Sequence, residues 1–245
     1  MGVERDRESQ GDGWDFFDAI YCITLESRPD RMQAAKEQFA LVGLAARVEF
    51  IVVARDEENP ERGIFTSHQL CLRKALTAGA RHILIFEDDV FFRKFDHERL
   101  RNACQFLEQG RGWDGFALGC LTSSSQPTSQ KGMVHIGYRC LTHAYALNRP
   151  FAERIVEEPW QGVPIDGLFH ALKGDFFALY PMCAFQGQAA SDNKTVWIDR
   201  MRTLFGGLAR IQRGNELYCN NRGLIFLIHL VGAVALIALF IFLRS

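Results

Sequence analysis

Residues Ile83 to Val90 read ILIFEDDV: an apolar run climbs into three adjacent carboxylates and then turns apolar again. A run of this length, rich in branched and aromatic residues and bounded by polar ones, reads as a buried strand. Adjacent carboxylates repel one another and resist desolvation. A strand that ends on three of them therefore ends where another group offsets their charge. In open α/β sheets that place is the crevice beyond the carboxyl ends of the strands.

Working back from this strand, the segment Gly63–Gly79 (GIFTSHQLCLRKALTAG) reads as a helix capped by Ser67 and stopped by Gly79. His68 is then expected in its first turn, where the helix dipole disfavours a charged imidazole. DEENPERG before it reads as a polar loop, and RVEFIVVA (Arg47–Ala54) as a strand. Before that, Ser27 and Pro29 open a helix to about Leu41 that keeps Met32, Ala35, Phe39 and Val42 on one face, with Gly43 as its stop. AIYCITL (Ala19–Leu25) is the first strand, and residues 1–16 read as a disordered polar leader. Working forward, DHERLRNACQFLEQG is a helix and WDGFALG a strand. Thr122–Gly132 (TSSSQPTSQKG) reads as a loop, followed by short strands at MVHIG and LTHAYAL. Helices follow near Arg149–Val156 and Asp166–Leu172, with a last strand at FFALYP. This alternation predicts an α/β domain over residues 17–191, with a mostly parallel sheet flanked by helices.

Residues 192–222 are polar and basic and read as a tether to the membrane, partly helical. Residues 223–243 (GLIFLIHLVGAVALIALFIFL) contain one polar side chain, His229, and are long enough to cross a bilayer as a helix. Arg200, Arg202, Arg210, Arg213 and Arg222 precede this stretch and only Arg244 follows it. The positive-inside rule then gives a single-pass, tail-anchored protein with its globular part in the cytoplasm. The N-terminus has no apolar signal core, and Asp6 stands where a myristoylation motif wants Ser or Thr. A formal net charge of −1 gives no basic character to suggest a nucleic-acid partner. The seven cysteines include no C-x-x-C pair and several lie in apolar runs, as expected of reduced core thiols.

Strand alternation sends Glu87 and Asp89 to one side and Asp88 to the other. Hard oxygen ligands at a strand end suit Mg²⁺ or Mn²⁺, ions that often also hold substrate phosphates. Solvated turn acids paired with Arg93 or Lys94 are the plainer account. Arg28 and Arg31, in TLESRPDR, follow the first strand at a helix start and form an anion site or a solvated pair. Asp166, in PIDGLFHAL, is either a helix cap or a base.

Taken in order, the blocks SRPDR, SHQLCLRKA, LIFEDDV, AYALN, PIDGL and YPMCAFQGQAASD resemble glycosyltransferase family 25, which includes bacterial lipooligosaccharide and collagen galactosyltransferases. The resemblance covers about Ala19 to Asn193. It implies a GT-A-like fold, a nucleotide-sugar donor such as UDP-galactose, Mn²⁺ and transfer with inversion to a hydroxyl of a glycan, lipid-linked or protein acceptor. By the same resemblance Glu87 and Asp89 are metal ligands and Asp166 the catalytic base. Arg28, Arg31, Ser67, His68, Asp88, Gln186 and Ser191 fall to donor binding. Thr24 stands where the family usually has Asn, which alters the local nucleotide contact. A tail-anchored scaffold that keeps the fold without catalysis is the alternative. A nucleotidyltransferase would want a Gly-rich phosphate loop after the first strand, and SRPDR has none.

Overall fold

A computed structural model describes residues 11–110, 112–187 and 207–244. The strands are β1 (Ala19–Leu25), β2 (Glu49–Val53), β3 (His82–Glu87), β4 (Val90–Phe92), β5 (Gly115–Pro127), β6 (Met133–Asn148), β7 (Phe176–Leu179) and β8 (Ala184–Gln186). The helices are α1 (Pro29–Leu41), α2 (Pro60–Thr77), α3 (His97–Gln109), α4 (Arg149–Glu157), α5 (Ile165–Ala171), α6 (Leu208–Asn220) and α7 (Arg222–Phe242). Six strands make one sheet in the order β2-β1-β3-β6-β5-β7, and β4 pairs with β8 in a small second sheet. β1 runs parallel to both β2 and β3, and β5 parallel to β7. β6 runs against β3, β5 and β7. Five of the six strands thus share one direction, which is the mostly parallel α/β sheet the alternation predicts.

Alternation along the strands divides the core into two layers. Ile20, Cys22, Leu84 and Phe86 join Ala35 and Phe39 of α1 and Leu100 and Leu107 of α3 on one face. Tyr21, Ile83 and Ile85 join Phe65 and Leu72 of α2, Phe151 of α4 and Phe169 of α5 on the other. Cys22, Cys71, Cys104, Cys120, Cys183 and Cys219 are buried free thiols.

Several boundaries differ from the sequence reading. α2 begins at Pro60, seven residues before Ser67, because Asn59 accepts a hydrogen bond from the Arg62 amide and Pro60 takes the first helical position. The segment Thr122–Gly132 is not a loop throughout: β5 continues to Pro127 and pairs with an unbroken β6 across several bulges. The end of the stretch read as a disordered leader, Trp14–Phe16, forms a 3-10 turn. Trp14 is fully buried, its indole nitrogen donates to the Val42 carbonyl at 2.8 Å, and its ring stacks on Phe95. Part of the stretch read as a tether, Leu208–Asn220, is helix α6, packed against β5. α7 has 21 residues, and an 18-residue window within it has a mean hydropathy of 2.9, with none of that window buried against the domain.

Candidate active site

The chain leaves β1 through α1 to reach β2 on one flank, then returns through α2 to β3 on the other flank of β1. The two crossovers lie on opposite faces of the sheet, so β1 and β3 form a switch point whose carboxyl ends frame a crevice. Thr24 ends on one side of that crevice and Glu87-Asp88-Asp89 on the other.

Asp88 turns toward the α1 face. Thr24, 1% exposed, donates from Oγ1 to Asp88 Oδ2 at 2.7 Å, and Arg31 Nη1 lies 3.4 Å from Asp88 Oδ1. Burial still pushes the Asp88 carboxyl up, against the pull of Thr24 and Arg31. Arg28 pairs with Asp30 at 2.8 Å beside the start of α1.

Glu87 turns toward the α2 face. Its Oε1 accepts from Thr142 Oγ1 at 2.7 Å and lies 3.5 Å from His68 Nε2, while His68 Nδ1 sits 2.9 Å from the Tyr145 hydroxyl. Burial favours a neutral Glu87, but hydrogen bonding and charge from His68, then the Thr142 hydroxyl, outweigh it and hold the carboxyl below its ordinary range. His68 is 1% exposed and lies within the body of α2 rather than in its first turn, so the dipole argument does not apply to it. Ser67 is not the cap either: its Oγ donates to the Gly63 carbonyl at 2.7 Å, inside the helix.

Asp89 lies past the strand, in the turn before β4. Its Oδ2 accepts from Gln186 Nε2 at 2.9 Å, and its carbonyl accepts from the Gly187 amide at 2.7 Å. Its other oxygen, Oδ1, is buried and has no hydrogen-bond partner. Burial first, and then the charge of Glu87, push this carboxyl up to about 7.

Among the described residues no group of three or more His, Cys, Asp or Glu side chains is disposed to hold a metal. Asp89 nevertheless has the chemistry of a cation ligand: a buried carboxylate oxygen without a donor, beside a second carboxylate. Glu87 Oε1 is already engaged by Thr142 and His68.

Asp166 is the second residue of α5, and its Oδ1 accepts from the adjacent Gly167 amide at 2.8 Å. Among the described residues no hydrogen bond or ion pair joins it to Glu87, Asp88 or Asp89; Phe169, three residues on, packs its ring 5.1 Å from that of Tyr145. Ser191 lies outside the described residues. The sequence reading passed over Thr142 and Tyr145. The available signal was the polar pair Thr142-His143 inside an otherwise apolar strand, beside β3 in the sheet.

Thr24→Val tests the hydroxyl's role. It removes the Asp88 donor at nearly constant volume and is expected to cost about 1–3 kcal/mol. Loss of that donor raises the Asp88 carboxyl further, so the destabilisation grows as pH rises and Asp88 ionises. Urea midpoints of wild type and variant should separate more at pH 8 than at pH 5; a gap independent of pH would contradict the assignment.

No protein-family model matches the chain. A human protein named inactive glycosyltransferase 25 family member 3 is 25% identical over 170 residues, covering 57% of this chain and 29% of that one. The chain thus spans under a third of the length of that relative. Among solved structures, A197 from STIV aligns with a TM-score of 0.46 at 13% identity, over 69% of this chain and 84% of that one. A glycosyltransferase involved in glycosylation of the major capsid of PBCV-1 aligns at 0.39 and 10% identity, over 65% and 81%.

Proposed function

We propose that the chain is a metal-dependent glycosyltransferase that moves a hexose from a nucleotide-sugar donor to an acceptor hydroxyl with inversion. The observation that carries this reading is the buried Asp89 oxygen without a donor, set at the β1/β3 switch point beside Glu87. The resemblance of the ordered sequence blocks to glycosyltransferase family 25 supports it, as does the partial similarity to the human family member.

In this reading Asp89, with Glu87 beside it, would hold a divalent cation, Mn²⁺ or Mg²⁺, which would supply positive charge to a departing diphosphate. His68 and Thr142 keep Glu87 ionised and oriented. Asp88, fixed by Thr24 and Arg31, meets the donor's ribose or sugar hydroxyls. Arg28 and Arg31 flank the nucleotide phosphates. Gln186 holds Asp89 in place, and Ser191 completes the donor side. Asp166 takes the proton of the acceptor hydroxyl as its oxygen bonds to the anomeric carbon. The bond from that carbon to the diphosphate breaks on the opposite face, and a nucleoside diphosphate leaves. α7 spans a membrane and keeps the domain on the cytoplasmic side, where UDP-galactose or a similar donor is met.

A second reading, a non-catalytic scaffold on the same fold, is favoured by two observations. Glu87 Oε1 is already satisfied by Thr142, and the human relative is named inactive. Thermal unfolding of wild type and Asp89→Ala with Mn²⁺ and a panel of nucleotide sugars separates the two. The transferase reading expects stabilisation of several degrees by Mn²⁺ together with one donor, lost in the variant. No shift with any donor supports the scaffold.

A further inference from the structure

Helix α6, LARIQRGNELYCN, buries a polar face. Gln212, Glu216 and Cys219 are buried, and Asn215 lies on the same stripe. Asn215 accepts from the Thr122 amide at 2.8 Å and donates to the Thr122 carbonyl at 2.9 Å, which docks the helix on β5. Gln212 and Glu216 instead grip the segment that enters β8. Gln212 Nε2 donates to the Ala184 carbonyl at 2.9 Å, and Glu216 Oε1 accepts from the Met182 amide at 2.5 Å. The other Glu216 oxygen accepts from Arg213 Nη1 at 2.5 Å, so this buried carboxylate is paired in charge as well.

The same segment is held along its other edge. The Cys183 amide donates to the Leu118 carbonyl at 3.0 Å, and the Cys183 carbonyl accepts from the Arg93 amide at 2.9 Å. Backbone polar groups of an extended chain alternate between its two edges. Met182 and Ala184 thus present theirs to α6, and Cys183 presents its own to β5 and the residue after β4. β8 then runs antiparallel to β4, with Gln186 opposite Val90. Asp89 immediately precedes Val90. It takes both a side-chain bond from Gln186 at 2.9 Å and a backbone bond from Gly187 at 2.7 Å. Only two residues separate the Ala184 carbonyl, gripped by Gln212, from the Gln186 side chain that holds Asp89.

Packing alone does not account for Gln212. The residue is fully buried, its Oε1 has no hydrogen-bond partner, and the Ala184 carbonyl it serves also lies 3.3 Å from His143 Nε2. Stranding a buried amide oxygen costs about as much as one donated hydrogen bond returns. Leucine, of similar volume, would fill the same space with nothing stranded. What leucine would lack is a donor that fixes the β8 backbone at Ala184.

Resting on the reading of Asp89 as a cation ligand, we propose that Gln212 and Glu216 are positioning residues for that ligand, setting Gln186, and through it the Asp89 carboxylate, by way of the β8 backbone. Partners outside the ligand shell orient ligands without touching the ion. Here those partners come from a helix after the α/β alternation has ended, so α6 belongs to the frame of the site and is not a spacer between the domain and α7.

A double-mutant cycle in the full-length protein tests this, with Mn²⁺ binding in the presence of UDP read from the free-ion electron paramagnetic resonance signal. Gln212→Leu is expected to weaken binding about tenfold, the lower end for loss of an outer partner, with a urea midpoint close to wild type. Gln186→Ala should weaken binding at least as much. The double variant should bind no more weakly than Gln186→Ala alone, because Gln212 acts through Gln186. Glu216→Ala should also weaken binding, and Glu216→Gln, which keeps an acceptor for the Met182 amide, should restore most of it. In metal-free Gln212→Leu, hydrogen exchange at the Gly187 amide should rise while exchange in β1 and β3 stays at the wild-type rate. Wild-type affinity in Gln212→Leu, or losses that add in the double variant, would overturn the positioning role and leave the metal reading intact. Failure of the wild type to bind Mn²⁺ with UDP would refute the metal reading itself, and the inference with it.

Discussion

Asp89→Asn is expected to make the protein more stable at pH 8 and inactive as a transferase. The folded state pushes the Asp89 carboxyl up to about 7 from an ordinary 3.8, so folding favours its protonated form. That contribution is fully present below the ordinary value and is lost as pH rises through about 7. Above that, the native state holds a buried carboxylate with one oxygen unpartnered. An amide is neutral at every pH, can still accept from Gln186, and has no charge to set against Glu87. Over the full shift the gain approaches about 4 kcal/mol. Urea midpoints in EDTA should therefore fall for wild type between pH 5 and pH 8 and stay nearly level for the variant. Turnover should fall by about a thousandfold, equivalent to ~4 kcal/mol of transition-state stabilisation. Parallel pH profiles would show that Asp89 is not held above its ordinary range.

Gly119→Ala is expected to be among the most damaging single changes away from the carboxylates. A Cβ at this position would lie 1.9 Å from the Ala184 carbonyl oxygen and 2.7 Å from His143 Nε2. Neither neighbour can yield easily. Gly119 is paired with Ala144 of β6, and the carbonyl of Ala184, the first residue of β8, is also held by Gln212. Overpacking of this kind costs about 3 kcal/mol or more. The close approach also lets β8 lie against β5 and so brings Gln186 to Asp89. Purified variant should show a lower urea midpoint and, where it still folds, weaker binding of Mn²⁺ with a nucleoside diphosphate. An unfolding free energy within about 0.5 kcal/mol of wild type, the scatter of a surface substitution, would contradict the packing argument.

The elements that could be read from sequence are those whose signals are local. β1 and α1 fall where an apolar run, a proline at a helix start and a stopping glycine place them. α2 was misplaced because two start signals compete: Ser67 before an apolar stripe, and Asn59-Pro60 in a polar stretch. The tertiary structure uses the second. The β5–β6 hairpin was broken in the reading because its outer half is built of Ser, Thr and Gln, which mark loops when nothing covers them. α6 was invisible as a docked element for a related reason. Its stripe of Gln212, Asn215, Glu216 and Cys219 has helical spacing but the composition of a solvated face.

The candidate site divides in the same way. The three carboxylates announce themselves by being adjacent at a strand end, and alternation correctly sends Glu87 and Asp88 to opposite faces. Their partners come from β1, α1, α2, β6 and β8, and only the folded chain shows which of these reach them. Thr24, a departure from the family pattern, turns out to hold Asp88. Ser67, adjacent to the His68 that does reach Glu87, turns back into its own helix.

Mn²⁺ binding read by electron paramagnetic resonance tests the central claim most directly. Free hexaaquo Mn²⁺ gives a sharp signal that is lost on binding. With full-length wild type and UDP at pH 7.5, the signal should fall by about one ion per chain, and with Asp89→Asn it should remain. An equal free Mn²⁺ signal for wild type, variant and protein-free UDP would contradict the assignment of this crevice as a metal–diphosphate site.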